Sequence, residues 1–217
     1  MKQLADCRLY TFIDSAYLNG REPVEIARQL CEGGADLIQL RAKDWSTDRI
    51  RETAEALLPI TQVANVGLVI NDYWGVASEI GADLCHLGQE DFFEAGYTSA
   101  TDLEPSNQKL KLGLSTHAPE QAARAMKSDV DYLAFGPVYI TPTKPARPAV
   151  TLDYVRWAAK NADRPWFAIG GITLENIEDV LEAGARRICV VSAILNAPDV
   201  TRACQQFRER IASVSLD

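Results

Sequence analysis

Gly67 to Asp91, GLVINDYWGVASEIGADLCHLGQED, reads as one β-α-β unit. Leu68, Val69 and Ile70 form a wholly apolar run, as expected of a strand buried on both faces. Trp74, Ala77, Ile80 and Ala82 follow at helical spacing, Gly81 stops that helix, and Leu84 to Leu87 is the next strand. Each strand runs into polar residues: Asn71-Asp72 after the first, Gln89-Glu90-Asp91 after the second. Adjacent parallel strands place their carboxyl ends side by side. Asp72 and Asp91 are therefore expected to face one crevice, where paired carboxylates suit a hard cation such as Mg²⁺ that also holds substrate phosphates. Either Asp alone would read as a helix N-cap; the pair at equivalent strand ends is the stronger sign.

Outward from this unit, eight apolar strand candidates alternate with helix candidates. The strands are expected near 8–13, 37–41, 67–71, 84–87, 111–115, 132–135, 166–169 and 188–192. The helices are expected near 22–33, 46–62, 73–80, 119–127, 151–161, 174–183 and 199–212, with Ser46, Thr116, Thr151, Thr173 and Asp199 as helix-start residues. Between Asp91 and Lys109, Gly96, Pro105 and small polar residues favour a loop as the fourth connection. This alternation within 217 residues indicates an α/β fold, a single (β/α)₈ TIM barrel over 1–217 with a frayed tail at 213–217.

An internal repeat agrees. Gly34-Ala35-Asp36, Gly81-Ala82-Asp83 and Gly184-Ala185-Arg186 precede strands two, four and eight, and Asp129-Val130-Asp131 is a degenerate version before strand six. Aligning these marks puts Gln39, His86, Ala134 and Cys189 in one layer, and Arg41, Gly88, Gly136 and Val191 in the next. Two glycines in the upper layer imply a hollow at the C-terminal face, with Arg41 reaching across it.

Composition narrows the function. A 47% hydrophobic fraction is enough for a large core. No apolar run has the length of a membrane span, and the N-terminus has no signal-peptide core, so a cytoplasmic location with no membrane partner is expected. The net charge of −8 argues against a nucleic-acid partner. Cys7, Cys31, Cys85, Cys189 and Cys204 form no C-x-x-C pair and read as buried free thiols. His86 and His117, the only histidines, exclude a His-rich metal site.

The polar groups collect at strand ends, where barrel enzymes keep their active sites. Gln39, Arg41 and Lys43, two apart, share one face of strand two and suit a polyphosphate or a charged heterocycle. The loop Gly136 to Lys144, GPVYITPTK, brings Thr141, Thr143 and Lys144, as expected of a ligand loop or lid; the alternative is an ordinary surface turn. Gly170-Gly171 and Val191-Ser192 end strands seven and eight, whose loops form the recurring phosphate site of barrels; glycine there lets an anion approach closely. Ser115 has no partner pair to activate it and reads as a ligand contact, and His117 as a capping or surface residue.

Gln39–Lys43, Val69–Asp72, His86–Asp91, Gly113–His117, Gly136–Tyr139 with Thr141–Lys144, Ile169–Ile172 and Val190–Ile194 together resemble the thiamine-phosphate synthase family. The resemblance implies transfer of a hydroxymethylpyrimidine group from its diphosphate to a thiazole phosphate, giving thiamine phosphate and pyrophosphate. It implies Asp72 and Asp91 as Mg²⁺ ligands. Gln39, Leu40, Arg41, Ala42, Lys43, Asn71, Ser115 and Lys144 would bind the pyrimidine diphosphate, with Arg41, Lys43, Lys144 and Ser115 serving catalysis. Thr141, Pro142, Thr143, Gly171, Val191 and Ser192 would hold the thiazole phosphate. The expected partners are these small molecules, and a homo-oligomer is compatible with them. Ala42, Ile140 and Arg186-Arg187 depart from the family pattern. The paralogous thiazole tautomerase, which has a catalytic histidine at the position of His117, and a non-catalytic binder of phosphorylated metabolites are the alternatives.

Overall fold

Strands whose side chains are apolar on both faces need cover on both sides, and a closed ring of parallel strands inside a ring of helices supplies it. The structure, a computed structural model, describes residues 1–103, 110–141 and 149–216. Its strands β1 (Leu9–Asp14), β2 (Leu37–Arg41), β3 (Gly67–Asn71), β4 (Leu84–Gly88), β5 (Lys111–Thr116), β6 (Tyr132–Phe135), β7 (Trp166–Ile169) and β8 (Ile188–Cys189) close in chain order into one barrel. All neighbours are parallel, and β8 returns to β1 with Leu9 opposite Ile188 and Tyr10 opposite Cys189. The helices are α1 (Pro23–Glu32), α2 (Thr47–Val63), α3 (Trp74–Ile80), α4 (Gln89–Glu94), α5 (Pro119–Ala125), α6 (Thr151–Asn161), α7 (Ile177–Glu182), α8 (Ser192–Leu195) and α9 (Val200–Ala212). The expected (β/α)₈ barrel is the fold observed.

Four details differ from the sequence reading. The fourth connection opens with the short helix α4, whose first turn carries Glu90 and Asp91 beside the positive helix end. The 188–192 run is not one strand: β8 stops at Cys189, and Ser192 begins α8. A short apolar run has no periodicity to separate strand from helix, and ICVVSAIL serves as both. Ser46 and Asp199 cap α2 and α9, but Thr116 stays in β5 and turns its hydroxyl to the Ala134 carbonyl, 3.3 Å away. The tail is held as far as Val214, whose carbonyl accepts from Arg8 Nη2 at 2.9 Å, although fraying is expected from Ser213.

The repeat before the even strands has a mechanical role. Gly34, Gly81, Gly184 and Asp129 all have positive φ, where glycine is unstrained and Asp is tolerated. The Asp that follows turns its carboxylate onto the first amides of the preceding odd strand. Asp36 accepts from Arg8 and Leu9 N, Asp83 from Leu68 N, and Asp131 from Leu112 N, at 2.7 to 3.1 Å. Each side chain thus pairs a strand start that the ladder leaves open. In the fourth copy Arg186 bonds the Leu181 and Ala185 carbonyls instead.

Asp36 is the most heavily bonded of the three. Its buried carboxylate also meets Lys2 Nζ at 2.5 Å and the Arg208 guanidinium. Burial pushes its pKa up, but the bonds from Lys2, Arg8 N and Leu9 N and the Arg208 charge outweigh this and hold it below the usual carboxylate range. A depressed folded pKa contributes stability that is present above the unfolded value, about 3.9, and lost as pH falls through the folded one. Asp36→Asn is therefore expected to lower unfolding free energy at pH 7 by about 3 kcal/mol. The gap between variant and parent should shrink below about pH 4. Denaturant unfolding at both pH values checks this; a gap independent of pH would contradict it.

Candidate functional site

The inward-facing ends of the strands enclose a cavity of about 350 Å³ at the C-terminal mouth of the barrel. The interior of an eight-strand barrel is normally filled by side chains, so a cavity needs thin layers. Gln39, His86, Ala134 and Cys189 line it, as do Arg41, Gly88, Gly136 and Val191, the two layers expected from the repeat. Ala134 and the two glycines leave the room. They also admit neighbours: a Cβ on Gly88 would lie 2.6 Å from Asp91 Oδ2, and one on Gly136 would collide with the Ile169 carbonyl.

The end of β2 brings Gln39, Arg41 and Lys43 to the cavity, as their alternation requires. Leu40 points the other way, is buried, and is not among the cavity-lining residues. Ala42 borders a smaller rim hollow of about 230 Å³, shared with Lys43, Asn71, Asp72 and Tyr73. Arg41 does not reach across the mouth. Its Nη1 turns sideways to Asp14 Oδ2 at 2.7 Å, on the neighbouring strand, where the two residues are in register. The Asp14 side chain is 1% exposed and also accepts from Ala16 N at 3.0 Å. Lys43 is looser: its ammonium is 3.7 Å from Asp72 Oδ2 and its side chain 61% exposed.

Asp72 and Asp91 both line the cavity. Neither is an N-cap: Tyr73 caps α3, Gly88 caps α4, and Asp91 lies in the first turn of α4. Asp72 has φ of 65° and accepts from Asn71 Nδ2 at 2.6 Å, with Asn71 itself on the cavity wall. Among the described residues no group of three or more His, Cys, Asp or Glu is placed to hold a metal ion. Two exposed carboxylates on one cavity, with Asp72 near Lys43, have the chemistry of a Mg²⁺ site that keeps several waters and completes its shell with a substrate phosphate.

On the opposite wall, Gly170, Gly171 and Ile172 face Val191 and Ser192. The intrahelical bonds of α8 begin with Ile194 N and Leu195 N to Val191 O, so the amides of Ser192 and Ala193 precede them and can serve an anion. Glycine here also has a packing role. Gly170 and Gly171 have φ of 105° and 65°, and a Cβ on Gly171 would meet Tyr139 Cβ at 2.7 Å and Ile140 O at 2.8 Å. The dipeptide is bare so that the segment after β6 can pack on it. Thr141 is buried and lines the cavity; Pro142, Thr143 and Lys144 lie outside the described residues.

Ser115 is buried at the end of β5, between Gly88 and Ala134 in register, and lines the cavity. His117 is neither a cap nor a surface group. It also lines the cavity, and its Nδ1 bonds the Gly136 carbonyl. The sequence reading missed Asp14 and the apolar wall residues Phe12, Pro137, Ile169 and Ile172, and set His117 outside the synthase site. Asp14 could have been found from its place at the end of β1, level with Arg41.

The glycine pair yields a direct check. Gly171→Ala is expected to lower unfolding free energy by about 2–3 kcal/mol, because strain and overpacking combine. Gly96→Ala, at φ of 87° but with nothing near its Cβ position, should cost only about 1 kcal/mol. Thermal unfolding of both variants measures the difference; equal losses would mean that the packing on Gly171 is not tight.

Residues 9–194 match the family model described as thiamine monophosphate synthase. A thiamine-phosphate synthase of Thermus thermophilus is 48% identical over 188 residues, covering 84% of this chain and 86% of its own. One from Acidothermus cellulolyticus is 41% identical over 214 residues, covering 98% of each. Among solved structures, the thiamine phosphate pyrophosphorylase of Pyrococcus furiosus superimposes with a TM-score of 0.81 at 28% identity, covering 97% of this chain and 98% of that one. A tryptophan synthase chain of Mycobacterium tuberculosis, with a TM-score of 0.70 at 12% identity, shares the fold alone.

Proposed function

The chain belongs to the thiamine monophosphate synthase family of transferases, and from that premise we propose that it moves a hydroxymethylpyrimidine group from its diphosphate to a thiazole phosphate. The products are thiamine phosphate and pyrophosphate. The observation that carries the reading is that one cavity is lined by a cationic strand end, a carboxylate pair and a glycine-lined corner at the start of α8. These are the features that two anionic substrates and a shared divalent cation would need. The whole barrel acts as one domain on small molecules in the cytoplasm, with neither nucleic acid nor membrane as partner. The acidic balance supports the exclusion of nucleic acid. No helix among the described residues is long and apolar enough to cross a membrane.

In this reading the pyrimidine lies on the floor near Gln39, with its diphosphate toward Arg41, Lys43, Asn71 and Ser115. Lys144 would add its charge to the same group. Asp72 and Asp91 would hold Mg²⁺, which when bound lowers the cost of charge growing on the leaving diphosphate. Asp14 fixes the Arg41 guanidinium, so a directed donor is in place before the C–O bond breaks. Lys43, exposed and loosely paired, follows the charge as it shifts. The electron-rich aminopyrimidine bears the positive charge left on its methylene, and the thiazole nitrogen then attacks. That nitrogen has no proton to lose, so His117 need not act as a base. The thiazole phosphate rests at Gly171, Val191, Ser192 and Thr141, joined by Pro142 and Thr143, and sets the distance of attack.

The cavity position of His117 favours one second reading, a thiazole tautomerase-like paralogue. Incubation with both substrates and Mg²⁺ separates the two. Transfer consumes the pyrimidine diphosphate and releases pyrophosphate; a tautomerase alters the thiazole alone and leaves the diphosphate intact.

Two sets of variants follow. Asp72→Asn and Asp91→Asn should each reduce kcat by at least about a hundredfold and raise the Mg²⁺ concentration needed, with unfolding midpoints near that of the parent. Full Mg²⁺-dependent turnover in both would remove the metal assignment. Lys144→Ala should reduce kcat by about a hundred- to thousandfold, because charge on the diphosphate is greater in the transition state than in the bound substrate. Lys144→Arg should restore it only in part, since a planar fork replaces a compact ammonium. A change confined to KM would make Lys144 a ground-state contact.

A further inference from the structure

Beneath the cavity floor, four polar side chains from four strands form an unbroken line. Gln39 Nε2 donates to the Tyr10 hydroxyl at 2.5 Å. The Tyr10 and Tyr132 hydroxyls are 3.1 Å apart, and the Tyr132 hydroxyl is 3.0 Å from His86 Nδ1. The ends of the line, Gln39 and His86, border the cavity; the two phenols lie below it and do not. Tyr10 and Tyr132 are 1% and 0% exposed. Their rings are held by edge contacts with Phe167 at 5.3 and 5.8 Å, and Tyr10 also stacks on Phe12 at 5.4 Å. The Tyr132 ring occupies the space a side chain at Gly113 would need. None of these rings has room to swing away.

Each link in such a line holds one proton, which fixes the direction of the whole. The Tyr10 oxygen receives a proton from Gln39, so its own proton points to Tyr132. The Tyr132 proton then points to His86 Nδ1. Burial pushes both phenols well above their ordinary pKa, so both keep their protons. His86 Nδ1 is left as an acceptor, and the neutral ring carries its proton on Nε2.

We infer that this relay selects which edge of a heterocycle the floor accepts. With its NH₂ committed to Tyr10, Gln39 offers its carbonyl oxygen to the cavity, and His86 offers an Nε2–H. An acceptor beside a donor matches an amidine edge, a ring nitrogen next to an exocyclic amino group, as in a 4-aminopyrimidine. Tyr10 and Tyr132 touch no substrate and act as positioning residues through Gln39 and His86. A 4-oxopyrimidine presents a ring N–H beside a carbonyl, the reverse pattern. Accepting it would require the Gln39 amide to flip, both hydroxyls to turn and the imidazole proton to change nitrogen. The four changes are linked, so the floor reverses as a unit or not at all. This inference rests on the reading of the cavity as a pyrimidine diphosphate site.

The test has a spectroscopic and a kinetic arm. With two histidines in the chain, ¹⁵N NMR of the imidazoles assigns the His86 tautomer directly. The parent protein should carry the proton on Nε2. Gln39→Glu removes the donor at the far end of the line, and His86 should respond by carrying its proton on Nδ1. In the kinetic arm, kcat/KM is compared for the 4-amino and 4-oxo pyrimidine diphosphates. The parent should prefer the amino compound by about 10⁴-fold, the ratio expected when a mismatch leaves buried polar groups unpaired. Tyr132→Phe and Tyr10→Phe, which keep the packed rings, should each reduce that preference to below about a hundredfold, with KM for the thiazole phosphate unchanged. A parent protein protonated on Nδ1, or Phe variants that keep the full preference, would overturn the inference. If the parent forms no thiamine phosphate from the amino substrate, the proposed function fails. The tautomer result, with calorimetric titration of 4-aminopyrimidine and its oxo analogue into parent and Tyr132→Phe, then decides the relay separately.

Discussion

The barrel's own closure is the constraint on which the rest depends. Eight strands make a ring just wide enough to be filled by the side chains that point inward. Any space for a ligand must therefore come from residues that are small, and from a level where filling stops. Here one arc is thinned by Gly88 on β4, Ala134 on β6 and Gly136 just past the end of β6. The opposite arc keeps the long side chains of Gln39 and Arg41. The cavity is thus asymmetric by construction, with bare backbone on one side and directed polar groups on the other.

Much of this was legible because barrel layers follow a two-strand alternation. The Gly-Ala-Asp repeat registers the even strands on one another, and both layers derived from it border the cavity. The repeat does more than register, since Asp36, Asp83 and Asp131 pair strand-start amides that a parallel ladder leaves open. What stayed illegible depends on side-chain direction. Arg41 and Asp14 both sit at strand ends, and only the register of β1 on β2 shows that they meet. The glycine pair after β7 reads as a phosphate cradle, and its contacts with Tyr139 and Ile140 add a packing role that the sequence does not mark. The ICVVSAIL run could not show where strand gives way to helix, and that point decides whether Ser192 ends a strand or opens a helix.

The electrostatics are local rather than global. The chain carries a net charge of −8, yet Arg41 and Lys43 stand together at the cavity. They are held differently. Arg41 is tied to a buried carboxylate, which offsets its charge and sets its direction. Lys43 keeps most of its side chain in water and only a long contact with Asp72. A fixed planar donor gives geometry, and a mobile ammonium gives charge that can follow an anion. A site proposed to recognise a diphosphate and later release it would use both.

In the proposed reaction, floor and rim would divide the work by height. A hydrogen bond from the floor to a ring edge is much the same before and during bond breaking, so it contributes to binding and selectivity more than to rate. Charge near the leaving group changes most between substrate and transition state, so groups at the rim contribute to rate. The strands enforce this separation, because residues two apart on one face differ in height along the barrel axis. Gln39 and His86 belong to the floor layer, and Arg41 and Gly88, which makes room for Asp91, belong to the layer above. A ring seated on the lower layer would present its substituent to the upper one. On the proposed reading, the same alternation that closes the barrel places selectivity beneath chemistry.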